Sequence, residues 1–229
     1  PWTLPSNLAI ALHPDMEYAV VRMHLGGNPI NFIVAIPLLE DFGKKVGVGF
    51  SSTHYSAPPR RGKEFQGLRY RHAWIDRESP VLMADYVTAD TGTGLVHTAP
   101  DHGVDDFNSA HHLGLLQLVG PDGRFAPAVN DPELEGKNIF DSNPLVVERL
   151  RGLGNDPFAH RDKGFLLHEE KLQHSYPHCW RTKTPILFRA TEQWFITMDD
   201  ELAGSGRSLR ELGLAGVDAT TWVPAQGRN

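Results

Sequence analysis

Cysteine is nearly absent: Cys179 stands alone among 229 residues. One thiol makes no internal disulfide and no cysteine zinc cage, and it fits a reducing, cytoplasmic setting. No apolar run is long enough to span a bilayer, and the first residues lack the pattern of a signal peptide. Basic residues are not in excess. Lys and Arg number 22 against 28 Asp and Glu, a formal net charge of −6. Bulk electrostatic coating of nucleic acid is therefore excluded, and any such contact is local. A Gly-x-Ser-x-Gly elbow is missing, and Cys179 lies beside the bulky Trp180, so nucleophilic catalysis has no recognisable motif. Internal repeats and low-complexity tracts are missing as well. The chain opens on Pro1-Trp2-Thr3 without a methionine and closes on Arg228-Asn229 just after Trp-Val-Pro. It reads as a piece of a larger protein.

What remains is an ordinary globular composition, 40% hydrophobic and 22% charged. Leu8 to Leu12, Tyr18 to His24 and Ile30 to Ile36 are predicted strands, with a Gly-Gly-Asn-Pro turn between the last two. Pro37 starts a predicted short helix, Pro-Leu-Leu-Glu-Asp-Phe-Gly-Lys-Lys-Val-Gly, that ends near Gly43 or Gly47. Ser51 to Arg71 reads as a basic loop. Its Arg60, Arg61, Lys63, Arg69 and Arg71 form either a solvated stretch or a local phosphate-contacting edge. Val81 to Val87 is a predicted strand, Gly120 to Gly123 a turn, and Ala126 to Gly136 an irregular loop. A helix is predicted through Val146 to Gly154, capped by Asp141. Phe165 to Tyr176 reads equally as strand or helix. Ile186 to Arg189 and Trp194 to Met198 are predicted strands, and Glu201 to Leu212 a final helix. Short strands broken by single helices imply a mixed α+β fold with a β-barrel-like core rather than a doubly wound one.

The chemistry concentrates in Gly92 to Phe107, Gly-Thr-Gly-Leu-Val-His-Thr-Ala-Pro-Asp-His-Gly-Val-Asp-Asp-Phe. Backbone around Gly92 and Gly94 can approach a ligand closely, and Thr93 or Thr98 can hold a water or a hydroxyl. His97 suits orienting a hydroxyl or moving a proton near neutral pH. Asp106, in the first turn of a predicted helix, is placed to stay ionised and hold a cationic amine. Each has a plainer reading: Asp106 as a helix-start carboxylate, His97 as a strand-end histidine bonded to backbone. A metal set of His97, His102 and Asp106 with His111 or His112 is disfavoured, because the two adjacent histidines face different ways on a helix.

Three segments in order, Pro-Trp-Thr-Leu-Pro-Ser-Asn, the Gly92–Phe107 stretch and His-Ser-Tyr-Pro-His-Cys-Trp-Arg to Trp-Phe-Ile-Thr-Met-Asp, closely resemble the editing domain of isoleucyl-tRNA synthetases. That domain, connective polypeptide 1, is an insertion in a class I catalytic core. The likeness covers essentially the whole chain. It implies one editing domain over residues 1–229, in the fold shared by the valyl, isoleucyl and leucyl enzymes. The ends, about 1–7 and 180–229, would lead back toward the catalytic core. The implied activity is hydrolysis of the ester of valyl-tRNA(Ile) while isoleucine is excluded by size, because one methylene gives too little discrimination at the synthetic site. The alternative is a non-catalytic insertion that binds the tRNA acceptor end. The resemblance implies that Asp106 anchors the α-amino group and that His97 lies beside the amino-acid side chain and terminal ribose. Trp2, Thr3 and Asn7 would line the facing wall, and Tyr176 would close over the pocket. No metal or cofactor is implied; the attacking group is an ordered water. Implied partners are the 3′ end of charged tRNA(Ile), its valine moiety and the rest of a parent synthetase, with no membrane. In the family a run of threonines directly precedes the position of Pro1, and it completes the wall.

Overall fold

The computed structural model describes residues 1–25, 28–48, 54–152, 166–171 and 175–228. They form two compact units, Pro1–Ala190 and Thr191–Asn229. In the first unit seven strands, β1 (Ala9–Leu12), β2 (Glu17–Leu25), β3 (Asn28–Ala35), β4 (Tyr55–Arg61), β5 (Arg69–Arg71), β6 (Glu78–Met83) and β7 (Leu95–Thr98), combine with helices α1 (Leu39–Val46), α2 (Val104–Ala110) and α3 (Asn143–Gly152). The architecture is α+β. The strands lie in two open sheets, β5-β6-β1-β7 and β3-β2-β4, and among the described residues they do not close into a barrel.

The β2–β3 hairpin is the longest ladder, running from Tyr18 opposite Ala35 to Leu25 opposite Asn28. Ala19, Val21 and Met23 on one face of β2, with Val34 of β3, are buried with Leu12, Phe42 and Phe65 in the main core, and Tyr18 from the other face is buried there too. Alternation along β2 turns one face to that core, as the Val-rich pattern predicts. After β3, a 3-10 turn at Ile36–Leu38 leads into α1, which presents Leu39 and Phe42 to the same core. Gly47, with φ +77°, ends α1 by turning its N–H back onto Gly43 and Lys44. Tyr18 ties the sheets together. It is fully buried, donates to the Gly94 carbonyl at 2.8 Å and accepts from His13 N at 2.9 Å. Its two neutral bonds satisfy a hydroxyl that burial would otherwise penalise.

A second core gathers Leu118, Val119, Phe125, Leu134, Ile139 and Val146 from the Gly120–Gly123 turn, the following loop and α3. Trp2 and Leu4 of the opening segment pack against it. Within the second unit, helix α4 (Leu209–Ala219) starts at a reciprocal capping box: Glu211 N donates to Ser208 Oγ at 3.2 Å, and Ser208 N to Glu211 Oε2 at 2.8 Å.

Several expectations change. The basic stretch contains β4 and β5 rather than loop alone; among the described residues β4 is the edge strand beside β2, and Pro58 and Pro59 fall at a register shift between Tyr18 and Val20. The strand expected at Val81 to Val87 is β6, ending at Met83. Ile186 to Arg189 and Trp194 to Met198 form no strand; Ile186 N bonds Pro177 O instead. The last helix begins at Leu209, not Glu201, because the Ser208–Glu211 box starts it after turns at Gly204 and Gly206. Leu153 and Gly154 of the predicted third helix, and Phe165 and 172–174 of the undecided segment, lie outside the described residues.

Candidate functional site

The chain opens with a single 3-10 turn, Leu4–Ser6, held by Pro5 and closed by Asn7 N onto Leu4 O at 3.0 Å. Thr3 and Asn7 flank that turn and reach the two ring nitrogens of one imidazole. Thr3 Oγ1 lies 3.0 Å from His97 Nε2, and Asn7 Nδ2 lies 2.7 Å from His97 Nδ1. The antiparallel register of β1 with β7 sets this up by placing Ile10 opposite His97. Two more histidines grip the same turn. His72 Nε2 is 2.9 Å from Leu4 O, and His102 Nε2 is 3.0 Å from Ser6 Oγ. Their other nitrogens are also occupied, His72 Nδ1 by Trp74 N and Ile75 N, His102 Nδ1 by Phe188 O at 3.2 Å. Trp2 stands edge-on to His102 with ring centres 4.6 Å apart.

Burial moves all three imidazoles the same way. It lowers His72 and His102 below the usual histidine value, against bonds to backbone carbonyls that raise them. His97 falls furthest, to about 4, chiefly through burial, with repulsion from His72 and His102 acting the same way. At neutral pH His97 is therefore an uncharged imidazole. That burial favours the first of the two uses expected of it, orienting a hydroxyl, over moving a proton near neutral pH.

Beside His97 is a cavity of about 390 Å³. Leu4, Ile10 and Leu95 give it apolar surface, while Asn7, Thr93 and His97 supply polar groups. Tyr70 and His72 line it too. Sequence reasoning did not select either of them for the site. The signal was the Arg-Tyr-Arg alternation of β5, which exposes Arg69 and Arg71 and turns Tyr70 inward. The Tyr70 hydroxyl donates to Asn7 Oδ1.

The other candidates fall in different places. Asp106 is not among the residues lining this cavity. It sits in the first turn of α2, where its Oδ2 accepts Ala99 N at 2.8 Å and clamps the helix start to the end of β7. Burial raises its carboxyl above the ordinary value, opposed by the Ala99 N–H and aided by the Asp105 charge. Thr98 is fully buried, its hydroxyl on Val96 O at 3.3 Å and near Tyr86, on the strand face opposite His97. Thr93 accepts Ala35 N on its carbonyl at 2.8 Å. Gly94 is required by packing: φ is +76°, and a Cβ there would stand 2.5 Å from that of Ala35. The Tyr176 hydroxyl bonds Ile186 O at 3.1 Å and Tyr176 does not line the cavity. The basic residues split between two sheets, with Arg61 and Lys63 3.7 and 3.8 Å from Asp15 and Arg69 paired to Glu78.

The fold has a counterpart among solved structures. The crystal structure of GlLeuRS-CP1 superposes with a TM-score of 0.50 over 66% of this chain and 76% of its own length, at 15% identity. The architecture is thus that of a synthetase CP1 segment. No family model matches the chain. By sequence, the chain is 42% identical over 99% of its length to the isoleucine–tRNA ligase of Nitratidesulfovibrio vulgaris. It is 41% identical to that of Halorhodospira halophila and 40% identical to that of Thermotoga neapolitana, in each case over its entire length. It is homologous throughout to a segment of isoleucine–tRNA ligases and spans about 22% of their length.

Proposed function

We propose that this chain is the editing domain of an isoleucine–tRNA ligase and hydrolyses the ester of valyl-tRNA(Ile). The observation that carries the reading is identity of 40–42% to isoleucine–tRNA ligases along essentially the whole chain. The apolar surface of Leu4, Ile10 and Leu95 beside His97 supports it, because a rigid wall of this kind accepts a short aliphatic side chain and rejects one methylene more by steric exclusion. With both His97 nitrogens taken up by Thr3 and Asn7, the Thr3 hydroxyl is the neutral hydrogen-bonding group suited to a ribose hydroxyl or an ester oxygen. Asp106 spends Oδ2 on Ala99 N; Oδ1 carries no protein hydrogen bond among the described residues and is assigned to the α-ammonium. Water attacks the ester carbonyl, the bond to the ribose oxygen breaks, and that oxygen takes the proton, releasing valine and tRNA. No cofactor is needed for this step. The tRNA 3′ end and the remainder of a cytoplasmic ligase are the proposed partners. Among the described residues no helix is long and apolar enough to cross a membrane.

The deciding experiment compares release of valine from Val-tRNA(Ile) with release of isoleucine from Ile-tRNA(Ile), using the full ligase that contains this segment. Selective valine release is expected, and Asp106→Ala should abolish it with the circular dichroism spectrum unchanged. Undiminished release by Asp106→Ala would instead leave the segment as a non-catalytic acceptor-end binder.

A further inference from the structure

A directed chain of hydrogen bonds runs from Tyr70 to Thr3. Asn7 is almost completely buried, and one of its side-chain termini lies 2.9 Å from the Ala9 carbonyl oxygen. A carbonyl only accepts, so that terminus is the amide nitrogen. The same nitrogen faces His97 Nδ1 at 2.7 Å, so Nδ1 presents its lone pair and the ring proton of the neutral imidazole is on Nε2. Nε2–H then donates to Thr3 Oγ1 at 3.0 Å. With that oxygen accepting, the Thr3 hydroxyl proton is directed to a further acceptor.

At the other end, Asn7 Oδ1 accepts from the Tyr70 hydroxyl, and buried Ser79 hydrogen-bonds Tyr70 in turn. A flipped Asn7 amide would face oxygen against the Ala9 carbonyl, so that contact sets the sense of the amide. In that sense its Oδ1 is held by the Tyr70 hydroxyl, which restrains the amide in place. Tyr70 touches neither His97 nor Thr3 in this chain of bonds; it acts through Asn7.

We propose that Tyr70 is a positioning residue of this site: through Asn7 it holds His97 in the Nε2–H tautomer and so aims the Thr3 hydroxyl as a donor toward the substrate ester. Its part in the reaction rests on the editing reading above. The arrangement is preorganised, because every participant is fixed by protein partners before a ligand arrives.

Long-range 1H–15N correlation of the histidine rings in this chain reads the tautomer directly. Wild type is expected to show His97 protonated at Nε2. Tyr70→Phe, which removes one oxygen from the ring, should give a mixture of tautomers. Asn7→Asp should invert the pattern, since a carboxylate accepts a proton from Nδ1. In the full ligase, Tyr70→Phe should lower kcat for Val-tRNA(Ile) deacylation by about tenfold, with KM changed less than about twofold. Asn7→Asp serves as the control that the signals respond, and the proposal is overturned if Tyr70→Phe keeps the wild-type tautomer, or if the tautomer shifts while kcat does not. Failure of the editing reading looks different: wild-type ligase would not deacylate Val-tRNA(Ile), while the ring signals would still respond to both substitutions.

Discussion

Replacing His97 by glutamine should flatten the pH dependence of folding stability on the acid side of neutrality. Glutamine offers one donor and one acceptor, as neutral imidazole does, but has no proton to gain. Burial holds folded His97 at about 4, against an ordinary value of 6.5. Between those limits the unfolded chain binds the proton and the folded chain does not. The contribution is therefore fully present above pH 6.5 and is lost as pH falls toward 4. One proton changes stability by about 1.4 kcal/mol per pH unit, so His97 should cost about 2 kcal/mol at pH 5 and about 3 kcal/mol at pH 4. His72 and His102 are lowered in the same direction and add to the wild-type slope. The difference between wild type and His97→Gln isolates the one residue. Urea denaturation followed by tryptophan fluorescence, at half-unit steps from pH 7.5 to pH 4.5, measures it. Trp2 reports on this region because its ring packs against His102. Two stability curves that stay parallel across the range would refute a buried neutral His97.

Two further substitutions probe the scaffold. Gly94→Ala combines a left-handed φ of +76° with a Cβ 2.5 Å from Ala35 Cβ, and should cost about 3 kcal/mol, read as a lowered midpoint in thermal denaturation; an unchanged midpoint would show that the sheets tolerate separation there. Asp101 is buried with its two carboxylate oxygens accepting Leu116 N and Gln117 N, each at 3.0 Å. Asp101→Asn would turn an N–H against one of those amides and should destabilise the chain by about 2 kcal/mol in urea, and a loss under about 0.5 kcal/mol would contradict that role.

Local signals served well where local physics governs. The alternation of β2 and β3, the Gly120–Gly123 turn and the glycine-ended α1 depend on neighbours a few residues away, and all three form as read. β4 lies in a stretch read as a basic loop, and its pairing with β2 takes Pro58 and Pro59 through a register shift that no local pattern announces. Trp194 to Met198 failed in the opposite sense. An apolar run has strand propensity, but a strand also needs a partner, and among the described residues none pairs with it.

The sequence by itself determined the α+β class, the likeness to a synthetase editing segment, and the short stretches from which site residues come. Those properties reside in composition, periodicity and the order of motifs. Tertiary structure decided which residues meet. Thr3 and Asn7 reach His97 across 94 and 90 positions of chain, while Asp106 and Thr98, much nearer in sequence, are turned to other partners. It also decided how deeply His97 is buried and which groups face its two nitrogens, because desolvation and the direction of each neighbour exist only once Thr3 and Asn7 are packed beside it.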